Sequence, residues 1–563
     1  MEIRKAAVIG SGVMGSGIAA HIANAGVPVV LMDIVPKGAN NRNTLAEGAI
    51  EKMLKTDPAP FMHKKNAKLV TAANLEDDLG QLADCDWIVE AVIERLDIKH
   101  DVFAKIEANR KKGSIVSSNT STIPLAQLTK GLPESFTRDF VITHFFNPPR
   151  YLRLLEIVAG PKTRPEVTES IKRFGDLRLG KGIVMCKDTP GFVGNRIGSI
   201  WIQAAINAAM QNGLTVEEAD AIAGKPLGFP STGIFGLLDL VGIDLMPHVG
   251  RSMRDNVPEG DAYRTEYKEH DLLKKMIETG YIGRKGKGGF YRINKSSGKS
   301  VKESISLKTG EYAPSQKGQL ESISVGRKDL RALVTHPDRG GKFAWQMLWK
   351  TLSYAALLVP EIADDIVAVD DGMKLGYAWK LGPFELIDKL GPKWFAERLA
   401  AEKQPVPKLL QMVGDGTFYR VRDGKRQYFT TAGTYADVQR ADGVILLEDI
   451  KRRSKPVARN GSASLWDIGD GVACLEFHSK MNSIDADTAA MLEKSIEAVK
   501  KDFKALVIYN EASNFSVGAN IGLALFAANV GVWQLIEGLI ENGQNVMKKL
   551  KYAPFPVVAA PGG

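Results

Sequence analysis

The N-terminal part of the chain alternates short, largely apolar runs with longer stretches of mixed polarity. Lys5 to Ile9, Val27 to Met32, Trp87 to Val92, Ser114 to Ser117 and Phe140 to Thr143 have strand length. Their lack of polar alternation predicts strands buried on both faces of a parallel sheet. A further apolar run through Leu152, Leu154, Leu155, Ile157 and Val158 predicts one more strand. From Asp188 the texture changes. Ile197, Ile200, Trp201, Ala204, Ala205 and Ala208 follow the period of a helix. Gly224 to Pro230 interrupts that helical stretch, Gly236 to Gly242 opens another, and the module closes near Gly283 to Tyr291.

An internal echo follows. Gly372 to Tyr377 and Leu381 to Gly391 resemble the segment from Leu227 to Gly242, so residues 330–425 read as a second copy of the helical module without a glycine-rich loop. Two such copies predict a pseudo-dimer within one chain. Residues 294–329 and 426–460 read as linkers, the first from its Ser, Lys and Gly content. Near Gly461 a third region begins, with strand-like runs at Gly471 to Phe477 and Ala505 to Tyr509.

The first loop carries chemistry. Gly10-Ser11-Gly12-Val13-Met14-Gly15 stands between the first strand and a helix of small residues, Ser16 to Ala23. Such a loop permits a tight turn at Gly10, close approach of a pyrophosphate at Gly12 and close helix packing at Gly15. Asp33 ends the second strand, where a carboxylate accepts hydrogen bonds from ribose hydroxyls and repels a 2′-phosphate, favouring NAD over NADP. Glu94, Lys99, Asn119, Ser121 and His144 all follow or end predicted strands, so one crevice can collect them. His144 is followed at a spacing of 12 residues by Glu156 in an apolar run. A buried carboxylate needs a partner, and a histidine so paired is suited to act as a general base near neutral pH.

With Ser118-Asn119-Thr120-Ser121, His144-Phe145-Phe146-Asn147-Pro148, Glu156 and Lys187 to Arg196 added to the glycine loop, the chain resembles the 3-hydroxyacyl-CoA dehydrogenase family of fatty-acid β-oxidation over residues 1–293. The resemblance implies that His144 takes the 3-hydroxyl proton and Glu156 orients its ring. It implies that Ser121 and Asn195 bind substrate oxygens, and that Met14, Asp33, Val92, Ile93, Glu94, Lys99, Ser121 and Asn147 contact NAD. With Gly10, Gly12, Val13, Gly15 and Asn119 these make the expected cofactor set. Further on, Lys480 to Asp485 and Phe515 to Ile521 resemble the enoyl-CoA hydratase (crotonase) superfamily. There the N–H of Ala519 would polarise a thioester carbonyl. The resemblance covers only the first part of such a domain, before its second oxyanion loop and its acid–base carboxylates, so no hydratase or isomerase activity is expected from these residues.

The expected fold is therefore an α/β Rossmann-type domain (1–186), two all-α modules of the dehydrogenase C-terminal type (187–293 and 330–425) and a truncated crotonase-like α/β segment (461–563). The expected substrates are CoA thioesters. Homodimerisation is compatible with the family. Association with a thiolase subunit is weakened as an analogy, because the multifunctional relatives place the hydratase before the dehydrogenase.

Composition narrows the field. The 563 residues carry a net charge of +9, with 44% hydrophobic and 25% charged residues. The charge is dispersed rather than clustered, which argues for phosphorylated small molecules and not nucleic acid; Lys64, Lys65 and Lys68 are the densest basic run. Three cysteines, Cys85, Cys186 and Cys474, give neither a disulfide framework nor a metal cluster and suit a reducing cytoplasm. No run reaches membrane-span length, and Met1 to Lys5 leads straight into the first strand without a signal-peptide pattern. Two rival readings remain. Related β-hydroxyacid dehydrogenases of other families use a lysine base on the helix where this chain has Asn195. A non-catalytic NAD- or CoA-binding relative would not need Ser121, His144, Glu156 and Asn195 together.

Overall fold

The computed structural model describes residues 1–295, 299–441, 443–512 and 514–562. Ser296, Ser297, Gly298 and Asp442, in the stretches read as linkers, and Ser513 and Gly563, in the crotonase-like segment, lie outside the described residues. The chain divides into two compact units, residues 1–419 with 429–435 and residues 420–428 with 436–563.

The first unit opens with one eight-stranded sheet. Its strands are β1 (Ala6–Ile9), β2 (Val29–Asp33), β3 (Val70–Asn74), β4 (Trp87–Glu90), β5 (Ile115–Ser118), β6 (Phe140–Phe145), β7 (Leu154–Ala159) and β8 (Gly182–Met185). Their order is β3-β2-β1-β4-β5-β6-β7-β8. β1 to β6 run parallel. β7 is antiparallel to β6, and β8 is parallel to β7. β1, β4, β5 and β6 are buried along their whole length, as their unbroken apolar runs require. The core beneath joins Val8, Ile18, Val29, Leu31, Trp87, Val141 and Phe145. Strand order reverses between β1 and β4, and the carboxyl ends of β1, β2, β4, β5 and β6 face one edge of the sheet.

The helical part of this unit is built on two long helices packed together, Gly194–Gln211 and Arg339–Leu357. Around each, the same clamp recurs. Asp220 accepts hydrogen bonds from the backbone N–H groups of Phe235 and Gly236 and from the Tyr291 hydroxyl. Asp370 accepts from the N–H groups of Phe384 and Glu385 and from the Tyr419 hydroxyl. A second aspartate in each set, Asp239 or Asp388, accepts the N–H groups of the Phe-Tyr pair that closes the module, Phe290-Tyr291 or Phe418-Tyr419. Buried carboxylates thus hold helix starts and chain ends that would otherwise leave donors unpaired.

The structure departs from the sequence reading in three places. Two strands, β3 and β8, were not expected; Thr71 and Asn74 break the apolar run of the first, and the second is an edge strand in which only Val184 is fully buried. Residues 294–329 are not a bare linker. They carry strand Val301–Ile305, which pairs with Tyr291–Asn294 on one side and with strand Tyr312–Pro314 on the other, and a helix Glu321–Gly326. Their lysines and serines hid a strand whose Glu303, Ser304 and Ile305 are buried. Residues 426–460 likewise contain strand residues at Lys425–Phe429 and Tyr435–Asp437 and a helix Leu447–Arg453.

The second unit holds a five-stranded sheet, with Val472–Phe477, Ala505–Ile508 and Val557–Ala559 parallel and Ala458–Arg459 and Ala463–Asp467 added antiparallel. Helices Ala486–Asp502 and Trp533–Lys551 accompany it, and Leu465, Leu475, Met491, Leu492, Val499 and Leu506 form its core. Among the described residues no helix is long and apolar enough to cross a membrane.

The Asp370 clamp makes a testable contribution. Asp370→Ala strands three donors, the N–H groups of Phe384 and Glu385 and the Tyr419 hydroxyl, and is expected to cost about 2 kcal/mol in denaturant unfolding. Burial, then the neighbouring Glu385 carboxylate, pushes the Asp370 carboxyl up to about 8. A carboxyl held above its unfolded value binds its proton more tightly when folded. Its stabilisation is present at low pH and is lost as pH rises from about 4 to about 8. The stability of the wild type relative to Asp370→Asn should fall across that window; parallel pH curves for the two proteins would refute this.

Candidate active site

The glycine loop is shaped by contact at two positions and by space at a third. Gly10 has φ +101°, and a Cβ there would lie 2.6 Å from the Ala91 carbonyl oxygen. A Cβ on Gly15 would run into the Gly10 carbonyl, whereas one on Gly12 would meet nothing within 4 Å. Gly12 precedes the helix Val13–Asn24, so the open side of the loop is a helix N-terminus at which backbone N–H groups can meet a phosphate. Asp33 ends β2, and its carboxylate accepts Ser11 N–H at 2.6 Å, Ser11 Oγ at 2.5 Å and Ile34 N–H at 2.7 Å. The loop and the acid are therefore tied to each other beside the same open edge. These residues fit a dinucleotide: space lies where the backbone must approach a pyrophosphate, and a carboxylate lies at the ribose position.

A second acidic centre lies after β4. Glu90 is fully buried; its Oε1 accepts Lys99 Nζ at 2.7 Å and Val92 N–H at 2.8 Å, and its Oε2 accepts Ser118 Oγ at 2.5 Å. Lys99 also reaches Glu94 at 3.2 Å. Glu94 in turn accepts Thr120 Oγ1 at 2.5 Å and the N–H groups of Ser121 and Thr122 at 3.0 and 3.1 Å. Against the opposing pull of burial, Lys99 and then these donors hold the Glu94 carboxyl below its ordinary range. Lys99 is itself buried, so it stands behind the loop as the cation that fixes Glu94 and, through it, Ser121. Asn119 Oδ1 accepts Phe145 N–H at 2.9 Å, linking the end of β5 to β6. Val13, Ile93 and Asn147 are exposed; Met14, Val92 and Ser121 are half-buried.

His144 and Glu156 face each other across the antiparallel β6–β7 pair. His144 Nδ1 lies 2.6 Å from Glu156 Oε2, with the carboxylate fully buried and the imidazole 6% exposed. The other oxygen, Oε1, accepts Val193 N–H at 3.0 Å and Gly194 N–H at 2.7 Å. Those donors belong to the start of the helix Gly194–Gln211, whose positive end favours a carboxylate. Asn195 is the next residue. It is not the cap, a place held by Val193, and among the described residues its side chain has no hydrogen-bond partner.

Three groups at this site were not singled out from the sequence. Phe146 and Phe192 hold the imidazole between ring centroids at 4.9 and 5.6 Å. Cys186 Sγ lies 3.7 Å from Glu156 Oε1, and burial, then Glu156, keep its thiol well above its ordinary pKa. Widely spaced cysteines carry no pattern, and Phe192 is recognisable only by its place in Pro190-Gly191-Phe192-Val193-Gly194.

A parallel sheet with its ligand edge at the β1/β4 reversal, a glycine-loop helix and a buried His–Glu pair define a nucleotide-dependent oxidoreductase. Residues 5–189 match the NAD-binding domain of 3-hydroxyacyl-CoA dehydrogenase, and residues 191–293 match that family's C-terminal domain. A probable 3-hydroxyacyl-CoA dehydrogenase of Bacillus subtilis (strain 168) is 40% identical over 584 aligned residues, covering 100% of this chain and 73% of that protein. A putative fatty acid oxidation complex trifunctional enzyme of Rickettsia felis is 37% identical over 100% of this chain and 75% of its own length. In fold, the chain resembles 3-hydroxybutyryl-CoA dehydrogenase from Escherichia coli K12 (TM-score 0.54, 21% identity, 73% of this chain and 98% of that one). It also resembles the dehydrogenase part of a Caenorhabditis elegans multifunctional enzyme (TM-score 0.50, 21% identity, 73% and 89%). The chain belongs to the 3-hydroxyacyl-CoA dehydrogenase family and carries that family's NAD-binding domain.

The buried Lys99–Glu90 pair should be essential to the cofactor edge. Lys99→Met leaves Glu90 buried without its cation and is expected to cost about 3 kcal/mol of stability. Lys99→Met combined with Glu90→Gln should recover part of that loss in the same unfolding measurement. A double variant no more stable than the single one would show that the charge pair is not the source.

Proposed function

We propose that this chain oxidises 3-hydroxyacyl-CoA to 3-oxoacyl-CoA in fatty-acid β-oxidation, with His144 as general base. The observation that carries the reading is the shared carboxylate of Glu156. With Nδ1–H committed to Glu156, the His144 ring presents Nε2 as its free acceptor. That nitrogen takes the proton of the 3-hydroxyl group, and Glu156 stabilises the imidazolium that results. NAD supplies the acceptor for the hydride that leaves the same carbon. Ser121 and Asn195 lie at the end of the β5 loop and at the helix start, and we assign them to the substrate oxygens. Gly10, Gly12, Val13, Met14, Gly15, Asp33, Val92, Ile93, Glu94, Asn119, Ser121 and Asn147 form the proposed cofactor contacts. Lys99 serves this set from behind, through Glu94.

The recurring aspartate clamps support reading residues 330–425 as a duplicate of the 187–293 module. For the C-terminal unit, the loop geometry supports a crotonase-like origin. Ile484 N–H donates to Gly518 O at 2.9 Å and Asn520 N–H to Ile484 O at 2.8 Å. Ala519 lies between them as an exposed residue whose N–H, among the described residues, donates to none. No hydratase step is assigned to this unit.

The test is NADH formation from a short-chain and a long-chain 3-hydroxyacyl-CoA, with NADP as control. Turnover with NAD and far less with NADP is expected. His144→Gln should lower kcat by about 10³-fold while leaving NAD binding intact. Tight NAD binding with no turnover in the wild type would establish a non-catalytic relative instead. Asp33→Ala should raise KM for NAD and narrow the preference over NADP; an unchanged ratio would remove Asp33 from the ribose site.

A further inference from the structure

The second helical module reaches the reaction site. Gly376 and Tyr377, at the end of the helix Ile366–Gly376, lie against the floor beneath His144 and Glu156. A Cβ on Gly376 would come within 2.7 Å of Leu154 Cδ2 and 3.3 Å of Phe146 Cε1. On the same helix a Cβ on Gly372 would lie 2.6 Å from Val193 Cγ1, the residue whose N–H binds Glu156. The phenol of Tyr377 fills the place where Gly198 has no side chain; a Cβ at Gly198 would collide with it. Gly198 is one helical turn beyond Asn195, on the helix whose start binds Glu156.

The rings form a continuous column that alternates between the two helical modules and ends in the sheet domain. Phe229 stacks on Trp379 at 4.1 Å, Trp379 meets Trp201 edge-on at 5.0 Å, and Trp201 meets Tyr377 at 5.7 Å. Tyr377 then meets Phe146 edge-on at 5.9 Å, and Phe146 meets His144 edge-on at 4.9 Å. Burial, then the nearby Glu156 carboxylate, hold the phenol above its ordinary pKa, so it stays protonated and adds no charge beside the pair. Edge-to-face contacts fix ring orientation as well as burying area.

We propose that Tyr377 is a positioning residue of the reaction site: wedged between Phe146 and Gly198, its ring holds the His144 imidazole in line with Glu156 and sets the start of the helix that carries Asn195. The second module then completes the site within one chain, which gives a module without a glycine-rich loop a direct part in the reaction. This rests on the functional reading above, with His144 as the base.

The test uses the full chain and compares Tyr377→Ala, Tyr377→Phe and Gly198→Ala, with wild type and His144→Gln in the same assay. Tyr377→Ala should lower kcat about tenfold with KM for NAD nearly unchanged, and should displace the acidic limb of the kcat/KM profile, which reports the base. Tyr377→Phe keeps the wedge and should retain most of kcat. Gly198→Ala adds a methyl where the phenol lies and should reproduce the loss. In the double variant Tyr377→Ala/Gly198→Ala the two losses should not multiply, because they act through one contact. A folded Tyr377→Ala with wild-type kcat and an unmoved acidic limb would overturn the proposal. So would a Tyr377→Phe variant as impaired as Tyr377→Ala. Should Tyr377→Ala fail to fold, Gly198→Ala decides, since alanine favours a helix interior; wild-type kcat and pH profile in that variant would overturn the proposal. Loss of the functional reading looks different: it is absent turnover in the wild type, or turnover undiminished in His144→Gln.

Discussion

One buried carboxylate joins the parts of the first unit that any reaction at its edge must bring together. Glu156 sits on β7, directly across from His144 on β6, and its second oxygen accepts two N–H groups at the start of the helix Gly194–Gln211. Sheet and helical module are thereby locked in one geometry by three hydrogen bonds, one from β6 and two from adjacent N–H groups at the helix start. Removing a fully buried carboxylate from such a set would strand all three donors at once. The antiparallel turn into β7 follows from the same requirement. Only a strand that runs back along β6 places a residue 12 positions after His144 opposite its ring.

The remaining architecture supports that junction from behind. The helices Gly194–Gln211 and Arg339–Leu357 pack along each other, and Arg196, fully buried, ties them: its guanidinium bonds Asp261 and Tyr354 Oη and reaches Glu361. Arg196 follows Asn195, so one residue of the first turn is left half-exposed while the next is anchored into both modules. Glycine is required along this contact for a steric reason. Gly182, Gly194, Gly198, Gly372 and Gly376 each lie where a Cβ would strike a side chain of the facing segment, which lets the second module approach the sheet closely.

How much of this was legible in the sequence follows from how local each signal is. The glycine loop, Asp33 and the buried strands announce themselves over a few residues, because turn sterics and burial act locally. His144 and Glu156 could be paired from the sequence because both stand in apolar runs, where an ionisable side chain demands a partner. The repeat was visible as an echo of Leu-Gly-aromatic triplets, Leu227-Gly228-Phe229 and Leu375-Gly376-Tyr377, yet its rule, a buried aspartate capping the next helix, showed only in three dimensions. The support of the site by Tyr377, 233 residues beyond His144 in number, left no trace in pattern or spacing; a tyrosine after a helix reads as ordinary core. The structured stretch after Asn294 was hidden for the opposite reason. Its polar composition masked a strand whose Glu303 is satisfied by Arg292 at 2.7 Å and Asn294 at 2.9 Å.

The two buried acids at the sheet edge show how the same residue type is put to different use. Glu90 is paired with Lys99 and supported by Ser118. That centre is fixed, which suits a loop that has only to hold its shape for a cofactor. Glu156 faces a histidine, whose charge would change in the proposed proton-transfer step. A carboxylate whose sole partner were a neutral imidazole would be costly to bury. The helix N-terminus removes that cost. Two N–H groups and the helix dipole stabilise the negative charge whether His144 is neutral or cationic. In the proposed reaction these donors support the carboxylate as the imidazolium forms, so the pair needs no further cation within the apolar floor that Phe146, Phe192 and Tyr377 provide.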